Sequence, residues 1–200
     1  MFPEIYLASQ SPRRADLLQQ IGVPFELLIA DASEDAETLE QHIRGESPAH
    51  YASRVTGLKA LAARSRMQAR GLVQKPILSA DTTVAIGGTI LGKPHDAIDA
   101  ARMLKLLSGR SHRVFTAVAL DLNGKIFSSL STSRIRFTRL NTEQIDRYVQ
   151  SQEPFGKAGS YAVQGFAATF IQKIEGSYSG IMGLPLFETN QLLSRCMADF

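Results

Sequence analysis

The chain opens with Ile5-Tyr6-Leu7-Ala8-Ser9-Gln10-Ser11-Pro12-Arg13-Arg14, an apolar run followed by a serine-rich turn and two arginines. The apolar run predicts a buried strand, and Pro12 predicts the first turn of a helix because its fixed φ suits that position. A helix start offers free N–H groups and a partial positive charge, which suit a phosphate. Each arginine can bind phosphate oxygens through two hydrogen bonds. The stretch therefore indicates a phosphate site, although a capped surface helix with two solvated arginines gives the same pattern.

The composition is that of a globular protein, with 200 residues of which 44% are hydrophobic and 20% charged. A formal net charge of +3 is too small to indicate a nucleic-acid partner. One cysteine, Cys196, gives neither a disulfide framework nor a cysteine metal site. We find no apolar run of membrane-spanning length and no signal-peptide pattern, so we expect a cytoplasmic protein without a membrane partner. No linker divides the chain, and we expect residues 1–200 to form a single domain.

Strand and helix patterns alternate along the chain, which predicts an α/β protein. The predicted strands cover residues 5–8, 25–30, 76–86, 111–122, 125–137 and 168–174. The predicted helices cover residues 13–21, 47–70, 97–107, 141–151 and 185–197. Asn123-Gly124 between two strand patterns predicts a hairpin turn.

Asp81 follows an apolar run and has hydroxyl side chains beside it. In an α/β protein the carboxyl end of a strand is where ligands bind, so Asp81 is a candidate metal ligand or general base. An aspartate that only caps a turn would give the same local pattern. Asp81 does not stand alone, because Leu91-Gly92-Lys93-Pro94 follows after a predicted hairpin, and its glycine and proline fix the backbone around Lys93. We therefore prefer a functional role for Asp81.

Three other stretches contain candidate ligand-binding groups. The acidic segment 31–37 contains Glu34 and follows a predicted strand, so it is either a solvated loop or a Mg²⁺ site. Lys59 lies close to the apolar stripe of a predicted helix, either as a surface side chain or as a phosphate ligand. The glycine-rich segment 153–165 carries Gln164, whose amide can read a base edge, although turn formation explains its glycines as well. For His112 we expect a structural role rather than catalysis.

Taken together, these motifs resemble the Maf family of nucleoside triphosphate pyrophosphatases almost from end to end. The resemblance implies an elongated, two-lobed α/β fold with a mixed, strongly twisted central sheet flanked by helices and a cleft between the lobes. It also implies hydrolysis between the α- and β-phosphates to a nucleoside monophosphate and pyrophosphate, with Mg²⁺ or Mn²⁺ as cofactor. The motifs that carry it are Ser9-Gln10-Ser11-Pro12-Arg13-Arg14, Ala80-Asp81-Thr82, Gly92-Lys93-Pro94, Ser108-Gly109-Arg110-Ser111-His112, Lys157-Ala158-Gly159-Ser160-Tyr161, Gln164-Gly165 and Gly183-Leu184-Pro185-Leu186.

The resemblance also implies roles for single residues. Asp81 matches the proton acceptor, Asp81 and Glu34 would hold the metal, and Lys93 and Glu34 would act beside Asp81 in catalysis. The implied substrate-binding residues are Ser9, Arg13, Arg14, Lys59, Thr82, Lys157 and Gln164.

Three positions separate the branches of this family by substrate. Arg13, Thr82 and Gln164 are the combination of the branch that acts on dTTP and UTP. The branch that acts on 7-methyl-GTP typically has tryptophan and glutamate at the first and third of these positions, and this chain has no tryptophan. One departure is Gly156, which stands where the family often has an aspartate before Lys157-Ala158-Gly159, so rate or metal preference could differ.

Two other functions fit the same motifs. One is a house-cleaning pyrophosphatase that removes modified or other non-standard nucleotides. The other is a regulator of cell division that uses nucleotide binding as a switch, because Maf proteins have been linked to septum formation. Family members are often dimers, so the resemblance allows a homodimer.

Overall fold

The computed structural model describes residues 2–31, 34 and 38–198, with side chains described up to residue 195. In these residues the strands are β1 (Ile5–Leu7), β2 (Phe25–Leu27), β3 (Ile77–Ile86), β4 (Thr89–Leu91), β5 (Ser111–Leu122), β6 (Lys125–Phe137) and β7 (Ile171–Glu175). The helices are α1 (Pro12–Gln20), α2 (Pro48–Ala69), α3 (Ala97–Leu107), α4 (Thr142–Gln150), α5 (Tyr178–Met182) and α6 (Leu186–Ala198). Short 3₁₀ turns cover residues 38–40, 158–160 and 166–170.

The strands form one mixed sheet in the order β2-β1-β3-β5-β6-β7. β1 runs parallel to both of its neighbours, whereas β3, β5, β6 and β7 pair antiparallel. β4 pairs with the last three residues of β3. The predicted α/β class and mixed sheet are confirmed.

The long hairpin of β5 and β6 forms as predicted, with its register running from Ser111 opposite Arg136 to Leu122 opposite Lys125. Asn123 and Gly124 form its turn with φ of 50° and 89°. Two consecutive positive φ values give the turn that matches the twist of the flanking strands. The predicted turn is therefore confirmed.

Helix α2 covers one face of the sheet. It begins as expected, with Pro48 in its first turn and Ser47 Oγ accepting the His50 N–H at 3.2 Å. Ser79 Oγ of β3 donates to the Thr56 carbonyl at 3.1 Å, which fixes the helix on the central strand. Apolar side chains of α2 pack on this face of the sheet both before and after Thr56. The part of α2 between them therefore lies over the middle of β3.

The other helices cover the opposite face and divide it into two core clusters. One cluster joins β1, α1 and α6 and includes Ala80 of β3. The second joins α3 and α4 and includes Val84 of the same strand. Thr82 lies between these two residues in β3, and Met182 packs against both clusters. The two lobes therefore meet at Thr82, where the resemblance implies a cleft.

Two predicted strands have an end that lies three residues from the observed one. The strand predicted over 25–30 ends at Leu27, because β2 pairs only with the three-residue β1. The strand predicted over 168–174 runs from Ile171 to Glu175, because β6 ends at Phe137, opposite Ile171, and the residues before it form a 3₁₀ turn. Among the described residues, none of the helices is both long and apolar enough to cross a bilayer.

Candidate active site

The site lies along an edge of β3 that has a strand on one side only. β1 pairs with Ile77 and Leu78, and β4 pairs with Val84 to Ile86. In the described part of the chain, residues 79–83 lie between these two partners and pair only with β5. This gap leaves the middle of the central strand without a second neighbouring strand, and it is where Asp81 and Thr82 lie.

Asp81 points to the α2 face of the sheet and is 9% exposed. Lys59 of α2 places its Nζ 2.7 Å from Asp81 Oδ1, and Thr83 Oγ1 donates to Asp81 Oδ2 at 3.2 Å. The same Lys59 Nζ lies 2.8 Å from Glu40 Oε1. Both oxygens of Asp81 are therefore oriented, and one ammonium group serves two carboxylates.

Arg14 lies on the other side of β3 and is held by three acceptors. Its Nε donates to the Gly183 carbonyl at 2.8 Å, Nη1 to Ser9 Oγ at 2.9 Å and Nη2 to Thr82 Oγ1 at 3.4 Å. Burial lowers the pKa of Arg14, while the negative charge of Asp81 opposes that shift. The guanidinium is thus a fixed, partly buried positive charge within electrostatic range of the Asp81 carboxylate.

Arg13 also binds the carboxyl end of α5, since its Nε donates to the Met182 carbonyl at 3.3 Å. Lys157 lies within electrostatic range of Arg13. Burial lowers the pKa of Lys157, and the positive charge of Arg13 lowers that pKa further. Two adjacent cations of this kind favour an anionic ligand, whose charge would offset their mutual repulsion.

The loop of Lys93 is joined to the loop of Lys157 through the backbone. Gly159 N–H donates to the Gly92 carbonyl at 3.0 Å, and Gly159 itself packs against Val84 of β3. Its φ of 70° places it in the left-handed region, where a side chain is strained. The structure therefore brings together two lysine motifs that are 64 residues apart in the sequence, counted from Lys93 to Lys157.

The segment 153–167 carries Gln164 on its surface, with an exposed side chain. Gly156, which stands where an aspartate was expected, has a φ of 72°, and a Cβ added there would meet nothing within 4 Å. Glycine removes the backbone strain that a side chain would have at this φ, and there is room for a Cβ.

Glu34 does not lie beside Asp81 in this structure. Arg66 Nε and Nη2 donate to its two carboxylate oxygens, each at 2.6 Å, and this bonding lowers the pKa of Glu34. Arg66 lies seven residues beyond Lys59 on α2, about 10 Å along the helix axis. The proposed metal role of Glu34 stays a prediction, and its neighbours Asp35 and Glu37 lie outside the described residues.

Three residues near the site were not predicted from the sequence: Glu40, Tyr51 and Thr116. Tyr51 OH donates to the Glu40 carbonyl at 2.9 Å, and burial, with Asp81 and Glu40 nearby, raises the pKa of Tyr51 to about 12. Thr116 Oγ1 donates to the Gly180 carbonyl at 2.7 Å and lies 3.2 Å from Thr82 Oγ1. Tyr51 precedes Lys59 by eight residues, which puts both on one face of the helix. This spacing is a sequence signal that could have placed Tyr51 near the site.

The carboxylates beside Lys59 could hold a divalent cation whose other ligands come from outside the protein. Among the described residues, no group of three or more His, Cys, Asp or Glu side chains is arranged to hold a metal ion. Mg²⁺ needs only one or two carboxylates when waters and substrate phosphates complete its shell. Asp81 and Glu40, which share one ammonium, meet that requirement.

Comparisons with known proteins agree with the motifs. A model of the family described as "Maf-like protein" matches residues 4–196. A protein of Ralstonia nicotianae named dTTP/UTP pyrophosphatase is 59% identical over 96% of this chain and 94% of its own length. Proteins of the same name from Cupriavidus pinatubonensis and Burkholderia pseudomallei are 55% and 57% identical over the whole of this chain and 100% and 96% of their own lengths. The solved structure of the Staphylococcus aureus Ham1 protein has a TM-score of 0.48 and 10% identity, covering 99% of this chain and all of that one.

Proposed function

The chain belongs to the Maf family, and we propose that it hydrolyses dTTP and UTP between the α- and β-phosphates to a nucleoside monophosphate and pyrophosphate. The relatives that are 55–59% identical to it are named for this activity. The observation that carries the proposal is Asp81, oriented by Lys59 and Thr83 at the open edge of β3, with the partly buried guanidinium of Arg14 on the other side of the strand.

Several cations would hold the triphosphate. Arg14 lies beside Ser9, and the first turn of α1 carries no acidic residue and no side-chain cap. Lys93 and Lys157 would reach the phosphates from the two loops that Gly159 joins. Fixed positive groups stabilise the charge that develops in the transition state without having to reorganise first.

Asp81 would act as the proton acceptor. In the proposed step the oxygen of a water molecule bonds to the α-phosphorus, the bond from that phosphorus to the bridging oxygen breaks, and pyrophosphate leaves. The proton of the water passes to Asp81. A general base in this position typically contributes a factor of about 10² to 10⁴ in rate.

A bound Mg²⁺ or Mn²⁺ would supply charge neutralisation on the phosphates. Asp81 would hold it, with Glu34 as the second ligand that the family resemblance implies. Glu40 is the alternative second ligand, because it already lies within 2.8 Å of the Lys59 ammonium that Asp81 shares.

Arg13, Thr82 and Gln164 would select the base. The hydroxyl of Thr82 accepts from Arg14 and lies beside Thr116, so Thr82 also orients the arginine. The exposed amide of Gln164 offers a donor and an acceptor to a pyrimidine edge.

The test is to measure pyrophosphate and orthophosphate released from dTTP, UTP, CTP, GTP, 7-methyl-GTP and ITP, with Mg²⁺, with Mn²⁺ and with a chelator. We expect metal-dependent release of pyrophosphate, fastest from dTTP and UTP. Faster release from a purine or modified nucleotide would overturn the assignment to dTTP and UTP and favour the house-cleaning function. Nucleotide binding without turnover would overturn the assignment of enzymatic activity and favour the regulatory function.

A further inference from the structure

Glu153 organises the segment that carries Gln164. It follows α4, and its carboxylate accepts three hydrogen bonds from within the protein. Oε2 accepts from the Phe166 N–H at 2.9 Å, and Oε1 accepts from Tyr148 OH at 2.7 Å and from the Ala167 N–H at 3.3 Å. Each bond to a charged acceptor is stronger than one between neutral groups.

The second anchor of the segment is Tyr148, in the last turn of α4. Tyr148 OH, which donates to Glu153, accepts from the Ala162 N–H at 3.3 Å. Its ring lies stacked near Phe166 with centroids 6.2 Å apart, and it is 1% exposed. Burial and the bond to Glu153 raise the pKa of Tyr148, so its hydroxyl keeps its proton and remains a donor.

These bonds tie the backbone on both sides of Gln164. Ala162 precedes it by two residues, and Phe166 and Ala167 follow it by two and three. The Gly165 N–H closes the turn on the Ala162 carbonyl at 3.1 Å. A Cβ at Gly165 would lie 2.5 Å from Oε2 of Glu153, so glycine is what lets the carboxylate reach the turn.

The negative charge of Glu153 also affects Lys157 of the proposed substrate site. Burial and the nearby Arg13 lower the pKa of Lys157, and Glu153 opposes that shift. Glu153 therefore lies within electrostatic range of a cation beside Arg13. Within the described residues it has no cation within ion-pair distance, so its charge is balanced mainly by the N–H and O–H groups of the turn.

We propose that Glu153 is a positioning residue that fixes the turn 162–167 and thereby sets the place of Gln164 for base selection. This inference rests on the proposed function, in which Gln164 reads the pyrimidine. Glu153 itself touches no substrate atom in this account. Its removal should change which nucleotide is preferred more than it changes the rate of the chemical step.

The test compares Glu153→Ala, Gln164→Ala and the double variant, using kcat and KM for UTP and CTP. We expect Glu153→Ala to raise KM for UTP about tenfold, to reduce the UTP-to-CTP ratio of kcat/KM, and to leave kcat within about threefold. The double variant should lose no more of the ratio than Gln164→Ala alone, because residues that act through one another are not additive. The control is Glu143→Ala, which changes an acidic residue in the first turn of α4 and should change none of these values.

Other outcomes separate the two proposals. If Gln164→Ala reduces the UTP-to-CTP ratio and folded Glu153→Ala lowers only the melting temperature, Glu153 has a structural role and the inference is wrong. If Gln164→Ala leaves the ratio unchanged, base selection by Gln164 is wrong, and the inference fails with it. If Glu153→Ala does not fold, Glu153→Gln decides: its amide can accept from only one side, so the same shift in the ratio should appear at smaller size, and no shift would overturn the inference.

Discussion

Lys59 Nζ lies 2.7 Å from Asp81 Oδ1 and 2.8 Å from Glu40 Oε1, so one ammonium is shared by two carboxylates. Two carboxylates and one cation leave a net negative charge at the open edge of β3. In the proposed function that charge would attract a divalent metal, and Arg14, on the other side of the strand, would bind phosphate. The metal and the triphosphate would then approach β3 from its two sides.

Replacing Asp81 by asparagine should remove the proton acceptor and leave the fold intact. Asparagine has nearly the same shape and can still meet Lys59 and Thr83, which now orient Asp81. We expect kcat to fall by about 10² to 10⁴, the usual contribution of a general base. The measurement is pyrophosphate release at saturating dTTP, together with the melting temperature.

The matched control is Asp121→Asn, a second buried aspartate on the sheet, which pairs with Arg64. It should lower the melting temperature and leave kcat within about twofold, because Asp121 lies outside the site. Near-full turnover by folded Asp81→Asn would exclude Asp81 as the base.

The secondary structure could be predicted wherever side-chain pattern and turn chemistry agree. The hairpin of β5 and β6 has twelve and thirteen residues around Asn123-Gly124, and both ends match the prediction. The predicted bounds of the strand over 168–174 are wrong because its apolar pattern does not show where β6 ends. Strand length depends on the partner strand, and a single segment does not contain that information.

The site was predicted in parts. Asp81 and Thr82 lie in the middle of β3 rather than at the carboxyl end of a strand as predicted, and Ser9 and Arg14 follow β1, which ends beside the open edge of β3. The resemblance implies a role for Glu34, and Glu40 was not predicted, although both follow β2 and Glu40 is the one that reaches Lys59. Which of the two reaches Lys59 depends on the path of the chain between β2 and α2. Tertiary structure places Glu34 on Arg66 instead.

Replacing Arg14 by lysine should weaken both stability and substrate binding. The guanidinium donates to Gly183, Ser9 and Thr82 at once, and a lysine ammonium is too compact to reach all three acceptors. We expect the free energy of unfolding to fall by about 2 kcal/mol, since each lost bond contributes about 1 kcal/mol. KM for dTTP should rise at least tenfold, measured beside a urea unfolding curve.

Arg13→Lys is the comparison, because Arg13 makes one such bond, to the Met182 carbonyl. Its loss of unfolding free energy should stay below about 1 kcal/mol. Equal losses in the two variants would contradict the anchoring role of Arg14.

His112 should make the protein less stable as the pH falls from 7 to 4. Burial lowers the pKa of His112 to about 4, against about 6.5 in the unfolded chain. Between those values the unfolded chain binds more protons, so stability is lost as the pH falls and the loss is complete near pH 4. At pH 5 the loss from this residue is about 2 kcal/mol relative to pH 7.

The measurement is the urea midpoint at pH 7 and pH 5 for wild type and for His112→Phe. The imidazole packs between Phe137 and Tyr161, its Nε2 lies 2.8 Å from Tyr161 OH, and its Nδ1 has no partner among the described residues. His112→Phe should lose about 2 kcal/mol less than wild type between the two pH values. His95→Gln, an exposed histidine, should behave as wild type, and an unchanged pH dependence in His112→Phe would contradict the assignment.

Gly159→Ala should be strongly destabilising because of one contact with β3. A Cβ there would lie 2.7 Å from Val84 Cγ1, and the φ of 70° adds backbone strain. Strain and overpacking together should cost about 3 kcal/mol. Gly156→Ala isolates the strain, since its φ is 72° and its Cβ would meet nothing within 4 Å, so it should cost about 1 kcal/mol. A double-mutant cycle with Val84→Ala tests the contact. In the Val84→Ala background, Gly159→Ala should cost no more unfolding free energy than Gly156→Ala costs in the wild type. If the losses caused by Val84→Ala and Gly159→Ala simply add, Val84 is not the obstacle.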